Sequence, residues 1–400
     1  MSTNNYYTPA ITLLELVRHN KCTIQTDGTA IVELEQPRCL QTCPHCGNHT
    51  DRIKDYRWQK IYIGKWLGVT SIYIRLHKRR YYCPSCERTF YEKLSWLPRY
   101  QQYPLCLKQQ IVHEASNAVS FSWIAKKHGV SITTVIRYFD YIQIPRPEHL
   151  PTILSIDEFR GNVQGHRFQV SLVDPVQHKI LDILPNRDTN EIINYFYTYP
   201  EEERRKVKYF VMDMSPIFRK AVRTVFPKAV IIGDRFHIQR LVNWAMEAIR
   251  KRIQKDLGAR RIRIKRSHSI LCKPGWKVTE RELPDLEYAL GHSKELRHAY
   301  ALKEAFYRVW KMGTAEDAKE MLRQWLSMVR ESKLEEFSNI LLTFKVWEKE
   351  IIQAVIQPYS NGPTEGKNTK IKTLKRISYG IRNFRRFRNR ILFIELFTDN

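Results

Sequence analysis

The chain has 400 residues, with 67 Lys and Arg against 41 Asp and Glu, a formal net charge of +26. That excess goes beyond what solubility needs and points to a polyanionic partner, nucleic acid before a membrane surface. No apolar run is long enough to span a bilayer, and the start MSTNNYYTPAITLLELV lacks a basic leader, so a cytoplasmic protein is expected.

Hydrophobic residues make up 43% of the chain, enough for two or three cores. Residues 1–38 read as an N-terminal segment. Over 39–98, Cys43 and Cys46 lie in CPHCG and Cys83 and Cys86 in CPSCE, flanking a stretch that alternates like strands. Each x-x spacer lets one turn present two thiolates, so the four cysteines predict a zinc ribbon with one structural Zn²⁺. A redox pair is the alternative, and Cys39 and His45 are substitutes of lower rank.

Residues 99–146 turn helical. In WIAKKHGVSITTVIRYFDYI, Ile124 and Ala125 are an apolar pair, Gly129 a turn and Ser131 a cap, before Val135, Ile136 and Phe139 at helical spacing. This predicts a helix-turn-helix whose second helix offers Thr133, Thr134, Arg137 and Tyr138 to DNA. A helix pair that merely packs into a core is the bland reading.

After the prolines of IPRPEHLPT, strands alternate with helices over 151–237. Strands TILSID, HRFQVSLVD and HKILDIL precede helix TNEIINYFYTY, strand KYFVMD, helix SPIFRKAVRTVF and strand KAVIIG. Three strands followed by alternating helix and strand is the order of the ribonuclease H fold. There the first and fourth strands lie side by side, which would make Asp157 and Asp213 neighbours. A carboxylate at such a position is costly unless it is paired or bound to a metal.

Residues 238–357 show helical periodicity throughout and read as an all-α insertion domain. Its basic run holds Arg260, Arg261 and Arg263, which are expected to contact phosphates where an average protein would have a solvated face. Trp310, Trp325 and Trp347 are expected in its core, with stacking on DNA bases as the alternative.

Over 358–400, Asn361 can cap a helix, Pro363 suits its first turn, and Glu365, Asn368, Thr369 and Lys372 share one face. The positive end of the helix is expected to favour ionisation of Glu365. Lys370, Lys372, Arg376, Arg382, Arg385, Arg386 and Arg388 add candidate phosphate contacts. Two strand-borne carboxylates and one helix-borne carboxylate, Asp157, Asp213 and Glu365, suit two Mg²⁺ or Mn²⁺ ions and phosphodiester chemistry. Glu158 should point to the opposite face of its strand.

In order and context, the double knuckles, the helix-turn-helix and the motifs SIDEF, VMDMSPIFRKAV, IIGDRFHI and SNGPTEGKNTKIKTLKR resemble the bacterial DDE transposases of the ISL3 insertion-sequence group. The resemblance implies a multidomain α+β and α/β chain: a zinc ribbon, a helix-turn-helix, and a ribonuclease H-like mixed-sheet catalytic core interrupted by an all-α insertion. It further implies an Asp157–Asp213–Glu365 triad and an Asp234/His237 pair matching a D-x-x-H signature. That pair is either a helix cap with a half-buried histidine or a support for the triad. Phe218 stands where Tyr is common. Implied partners are double-stranded DNA, both terminal inverted repeats and target, and further copies of the chain, with a nucleoid-associated location. The rival readings are a transposase-derived DNA-binding regulator without catalysis and a ribonuclease H-like nuclease that cuts without joining.

Overall fold

The computed structural model describes residues 18–66, 69–255 and 261–398. They fall into two compact units, one holding the chain up to Ile144 with residues 374–381 and 385 onward, the other 145–373 with 382–384.

In the first unit the strands are β1 (Arg18–Ile24), β2 (Thr29–Glu35), β3 (Gln41–Thr42), β4 (His49–Thr50), β5 (Ile53–Trp66), β6 (Val69–Tyr82) and β7 (Thr89–Tyr91). β5 and β6 form a long antiparallel hairpin, with β2 parallel to β6, β1 outside β2, and β7 on β6. The period-two pattern sends Ile61, Ile74 and Leu76 inward to join Leu34, Leu94 and Leu97, while Trp58, Lys60 and Arg75 face out. Within residues 1–38, expected as an N-terminal segment, β1 and β2 lie in the same sheet as β5 and β6, and Leu34 packs in that core.

Three helices follow, α1 (Leu105–Glu114), α2 (Phe121–His128) and α3 (Ile132–Phe139). The Ser120 hydroxyl accepts from the Trp123 amide at 3.0 Å to cap α2, and the Ser131 hydroxyl accepts from the Thr134 amide at 3.1 Å to cap α3. Between them Gly129 has φ +66°, and a Cβ there would lie 2.1 Å from the Tyr62 hydroxyl oxygen. Leu107, Ile111, Ile124, Val135, Tyr138 and Phe139 close the trihelical core.

The second unit contains a mixed sheet of β8 (Ile153–Phe159), β9 (Gln169–Asp174), β10 (Lys179–Leu184), β11 (Tyr209–Met212) and β12 (Val230–Gly233), in the order β10-β9-β8-β11-β12. The first three strands are antiparallel neighbours, and β11 runs parallel to both β8 and β12. Helices α4 (Thr189–Tyr197), α5 (Glu201–Lys206) and α6 (Pro216–Val225) link them. Asp188 caps α4 and Ser215 caps α6, whose Pro216 occupies the first turn.

Beyond β12 the described chain is helical: α7 (Arg235–Lys255), α8 (Arg261–Arg266), α9 (His268–Cys272), α10 (Leu283–Gly291), α11 (Lys294–Val309), α12 (Ala315–Ser332), α13 (Glu335–Ser338), α14 (Leu341–Val346), α15 (Glu348–Ile356), α16 (Gly362–Ile377) and α17 (Phe384–Thr398). Trp325 packs against Phe306 and Phe344 and donates its indole N–H to the Leu302 carbonyl at 2.8 Å. Trp347 is buried beneath the Arg219 guanidinium, and Trp310 donates to Gln239 at 3.0 Å. Trp325 and Trp347 are core residues, and Trp310 packs half-buried against that core. Gly233 lets α15 close on the end of β12, since a Cβ there would stand 3.2 Å from the Glu350 carbonyl oxygen.

Candidate catalytic and metal centres

The zinc knuckles are the tight turns between β3 and β4 and between β6 and β7. The Cys43 amide donates to Asn48 O and the Cys83 amide to Arg88 O, which curls each loop around its own sulfur. All four sulfurs lie within 4.8 Å of one another, with Cys43–Cys86 at 3.7 Å and Cys46–Cys83 at 3.5 Å. Sulfurs at tetrahedral Zn–S distances stand about 3.8 Å apart, so the set fits zinc. Burial opposes ionisation of Cys83, but the Cys86 amide and the Cys46 thiol outweigh it and bring its thiol down to about 7. Cys39 takes a hydrogen bond from Gln41 and His45 sits beside Arg88, so both lie outside the sulfur cluster.

The carboxylates are set by the sheet. Met212 pairs with Ile156 in the parallel β8–β11 register, so Asp157 on β8 and Asp213, one residue past β11, follow on adjacent strands. Asp157 is buried; its Oδ1 accepts from the Glu158 amide and its Oδ2 from Asn368 Nδ2, both at 2.8 Å. Asp213 Oδ1 is buried and has no hydrogen-bond partner. Glu158 turns away and pairs with Arg187 at 2.7 Å.

Glu365 reaches this region on α16, and polar side chains anchor that helix to the sheet. Ser171 on β9 donates to Asn368 Oδ1 at 2.8 Å, Thr364 donates to the Ser155 hydroxyl at 2.8 Å, and Ser155 donates to Asn361. Asn361 therefore spends its side chain on β8. Its carbonyl accepts the Glu365 amide at 3.0 Å.

Asp234 does both things its position allows. Its Oδ1 accepts from the Phe236 amide at 3.1 Å, capping α7, while Oδ2 pairs with His237 Nδ1. Ligand atoms of Asp234, His237 and Glu365 lie within 4.8 Å of one another.

The electrostatics tie the groups together. Burial and then the Asp213 charge raise Asp157 to about 7. Burial raises Asp213 to about 6, with Glu158 and Asp234 adding to the shift and His237 opposing it. Glu365 is also raised, first by burial and then by Asp234. The helix-end expectation of easy ionisation is thus outweighed by desolvation and a like charge. Burial disfavours charge on His237, but the hydrogen bond and charge of Asp234 prevail and raise its pKa.

Asp157 and Asp213, the latter with an orphaned oxygen, form an oxygen donor pair that suits Mg²⁺ or Mn²⁺, and the neighbouring Asp234, His237 and Glu365 group adds two carboxylates and a ring nitrogen.

On α3, Thr133 and Arg137 are exposed, but Thr134 is buried and its hydroxyl lies 2.9 Å from that of Ser131. Tyr138 is buried as well. Both belong to the cap and core of the motif and not to its outer face. Lys370, Lys372, Arg376, Arg382 and Arg385 are exposed. Arg388 donates to the Ile144 carbonyl at 2.8 Å, and Arg386 forks onto Asp140, so these two serve the fold. Arg263 pairs with Asp285 at 2.9 Å and lies over Tyr288. Arg260 falls outside the described residues, and of Arg261 only the backbone is described.

Comparison with known proteins decides the family. Residues 154–391, more than half the chain, match the ISL3 family described as "Transposase". The chain belongs to the ISL3 transposase family. Residues 92–143 match the helix-turn-helix domain of transposase family ISL3, and 40–86 the zinc-finger of the transposases IS204, IS1001, IS1096 and IS1165. The chain is 24% identical over 368 residues to the transposase for insertion sequence element IS1001 of Bordetella parapertussis, covering 89% of each. It is 23% identical over 396 residues to that for IS1557 of Mycobacterium tuberculosis, covering 89% of this chain and 86% of the relative. A 35% identical match to an ATP-dependent protease of Lactococcus lactis spans only 29% of the chain. The protein is accordingly an insertion-sequence transposase with a DNA-binding helix-turn-helix and a zinc ribbon, and no described helix is long and apolar enough to cross a membrane.

Four residues of the centre escape a reading of the sequence: Asn368, Ser171, Ser155 and Thr364. Only Asn368 left a trace, by sharing a helical face with Glu365.

Proposed function

We propose that this transposase binds the terminal inverted repeats of its element and cleaves and joins DNA strands at Asp157, Asp213 and Glu365. The sheet order and the late helix bearing Glu365 support a ribonuclease H-like core, residues 151–237 and 358–400, interrupted by the helical segment 238–357. The observation that carries the reading is the buried, partnerless Asp213 Oδ1 beside an Asp157 carboxylate already oriented by Asn368.

Asp157 and Asp213 would hold one Mg²⁺ or Mn²⁺, and Glu365 with Asp234 or His237 a second. When bound, such ions neutralise the phosphodiester and acidify the attacking water or 3′-hydroxyl. Asn368 fixes the Asp157 carboxylate through Oδ2, and α16 carries Glu365 to the same place. Asp234 orients the His237 ring through Nδ1, leaving Nε2 for the reacting groups. No side-chain nucleophile is needed. Action on two element ends calls for more than one copy of the chain, working at the nucleoid.

The test is cleavage and joining of a plasmid carrying both element ends, with Mg²⁺ or Mn²⁺. Asp157→Asn, Asp213→Asn and Glu365→Gln should each abolish both steps while DNA binding stays near parental. Near-parental cleavage by any one variant removes that residue from the centre. Cleaved ends that never join to a second DNA would favour a nuclease, and binding without cleavage by the parental chain would favour a regulator.

A further inference from the structure

Of the three tryptophans that could have stacked on DNA, Trp325 and Trp347 are buried and Trp310 packs half-buried against the core, yet α7 exposes other rings beside the carboxylates. Phe236, Arg240 and Trp244 follow one another at four-residue spacing, which places them along one stripe of the helix. Phe236 is 54% exposed and Trp244 57% exposed. The Arg240 guanidinium lies between them, 5.6 Å from the centre of the Phe236 ring and 4.8 Å from that of Trp244. The stripe begins at the carboxylate cluster: Phe236 contacts the His237 ring edge-on at 5.6 Å, and His237 is one turn before Arg240.

Two features argue against a purely structural stripe. Exposed large rings on a helix are normally turned into a core, and here neither is. Arg240 Nε is also buried without a hydrogen-bond partner, although the positive charge acts on Asp213, His237 and Glu365. A cation poised beside carboxylates, lying over two rings that are each more than half exposed, matches the chemistry of a nucleotide whose base has left the duplex. The base takes the ring face, whatever its identity, and its phosphate takes the guanidinium.

We infer that Phe236, Arg240 and Trp244 form a binding site for an unpaired nucleotide at the DNA strand end, next to the carboxylate centre. This rests on DNA being the substrate held there. Inside a duplex both faces of every base are stacked on neighbours, so the stripe would discriminate frayed or overhanging ends from internal duplex DNA.

The test uses the full zinc-loaded chain without added Mg²⁺, so that binding is read apart from chemistry. Two fluorescent duplexes of one sequence are compared, one blunt and one with a three-nucleotide 3′ overhang carrying 2-aminopurine. The parental chain should prefer the overhang on the order of tenfold and quench the 2-aminopurine by stacking. Trp244→Ala and Phe236→Ala should lose the preference and the quenching while binding the blunt duplex as before, and Trp244→Phe should keep most of both.

Retained preference and quenching in Trp244→Ala would overturn the inference. So would an unchanged DNA preference with a smaller mass by light scattering, which would mean that a second copy of the chain covers the stripe. Cleavage of the element ends by Asp157→Asn at the parental rate would overturn the carboxylate reading and leave the stacking result standing.

Discussion

At the scale of single residues, the carboxylate centre is unstable by itself. Asp157 at about 7 and Asp213 at about 6 both lie above the ordinary 3.8, so the folded chain holds protons that the unfolded chain releases. Over roughly pH 4 to 7 this pair binds more protons in the folded state, so its contribution to stability falls as pH rises through that window. Thermal melting of the Mg²⁺-free protein should show this fall, and Asp157→Asn should shrink it. Millimolar Mg²⁺ should raise the parental melting temperature at pH 8 and leave Asp157→Asn nearly unmoved; equal shifts in both would dissociate metal binding from Asp157. Asn368 acts one bond further out, as the donor that aims Asp157 Oδ2. Asn368→Ala should fold, cleave about 10–100-fold more slowly and need more Mg²⁺ for half-maximal rate. A parental Mg²⁺ dependence would reduce Asn368 to a helix anchor.

At the scale of elements, Gly129 joins α2 to α3 in a backbone conformation that penalises a side chain, with the Tyr62 hydroxyl filling the space a Cβ would need. Gly129→Ala should cost at least about 1–2 kcal/mol, measurable by denaturant melting, and should weaken specific DNA binding in step. The zinc knuckles close the sheet that β2 and β6 share, so Cys83→Ser or chelation should release one zinc and loosen that sheet. An unchanged zinc content in Cys83→Ser would exclude the four-sulfur site. Elements of this kind were legible in the sequence because each rests on local signals: knuckle spacing, the serine caps and glycine of the helical motif, and alternating apolar runs in β8 to β12. What stayed hidden depends on contacts far apart in sequence. Thr134 reads as a groove residue by composition, yet it sits three residues after the cap Ser131, where its hydroxyl meets the cap instead of solvent. Asn368, Ser155 and Ser171 carry no motif, and only the packing of α16 on β8 and β9 gives them partners. Glu365 was legible as a candidate ligand, but its raised pKa was not, since Asp234 becomes its neighbour only through the fold.

For the whole molecule, a net charge of +26 cannot be spent on one short contact. Part of the basic excess is internal: Arg386 holds Asp140, and Arg390 binds the carbonyls of Asn117 and Val119 at 2.9 and 2.8 Å. Others are exposed, and Lys370, Lys372 and Arg376 on the exposed side of α16 are candidates for phosphate contact. Phosphate contacts release counterions and carry no sequence information, whereas base contacts, expected from α3, do. Replacing Lys370, Lys372 and Arg376 together by Gln should then weaken specific and nonspecific DNA binding alike. It should also flatten the salt dependence, lowering the slope of log affinity against log salt by roughly 2 to 3. Arg137→Ala, on the exposed face of α3, should instead lower the ratio of specific to nonspecific affinity and change that slope by no more than about 1. Both slopes come from anisotropy titrations of one duplex with the element end and one scrambled duplex across a range of NaCl. If the triple variant kept the parental slope, α16 would not be a phosphate-binding helix, and its lysines would serve only to offset the carboxylates nearby.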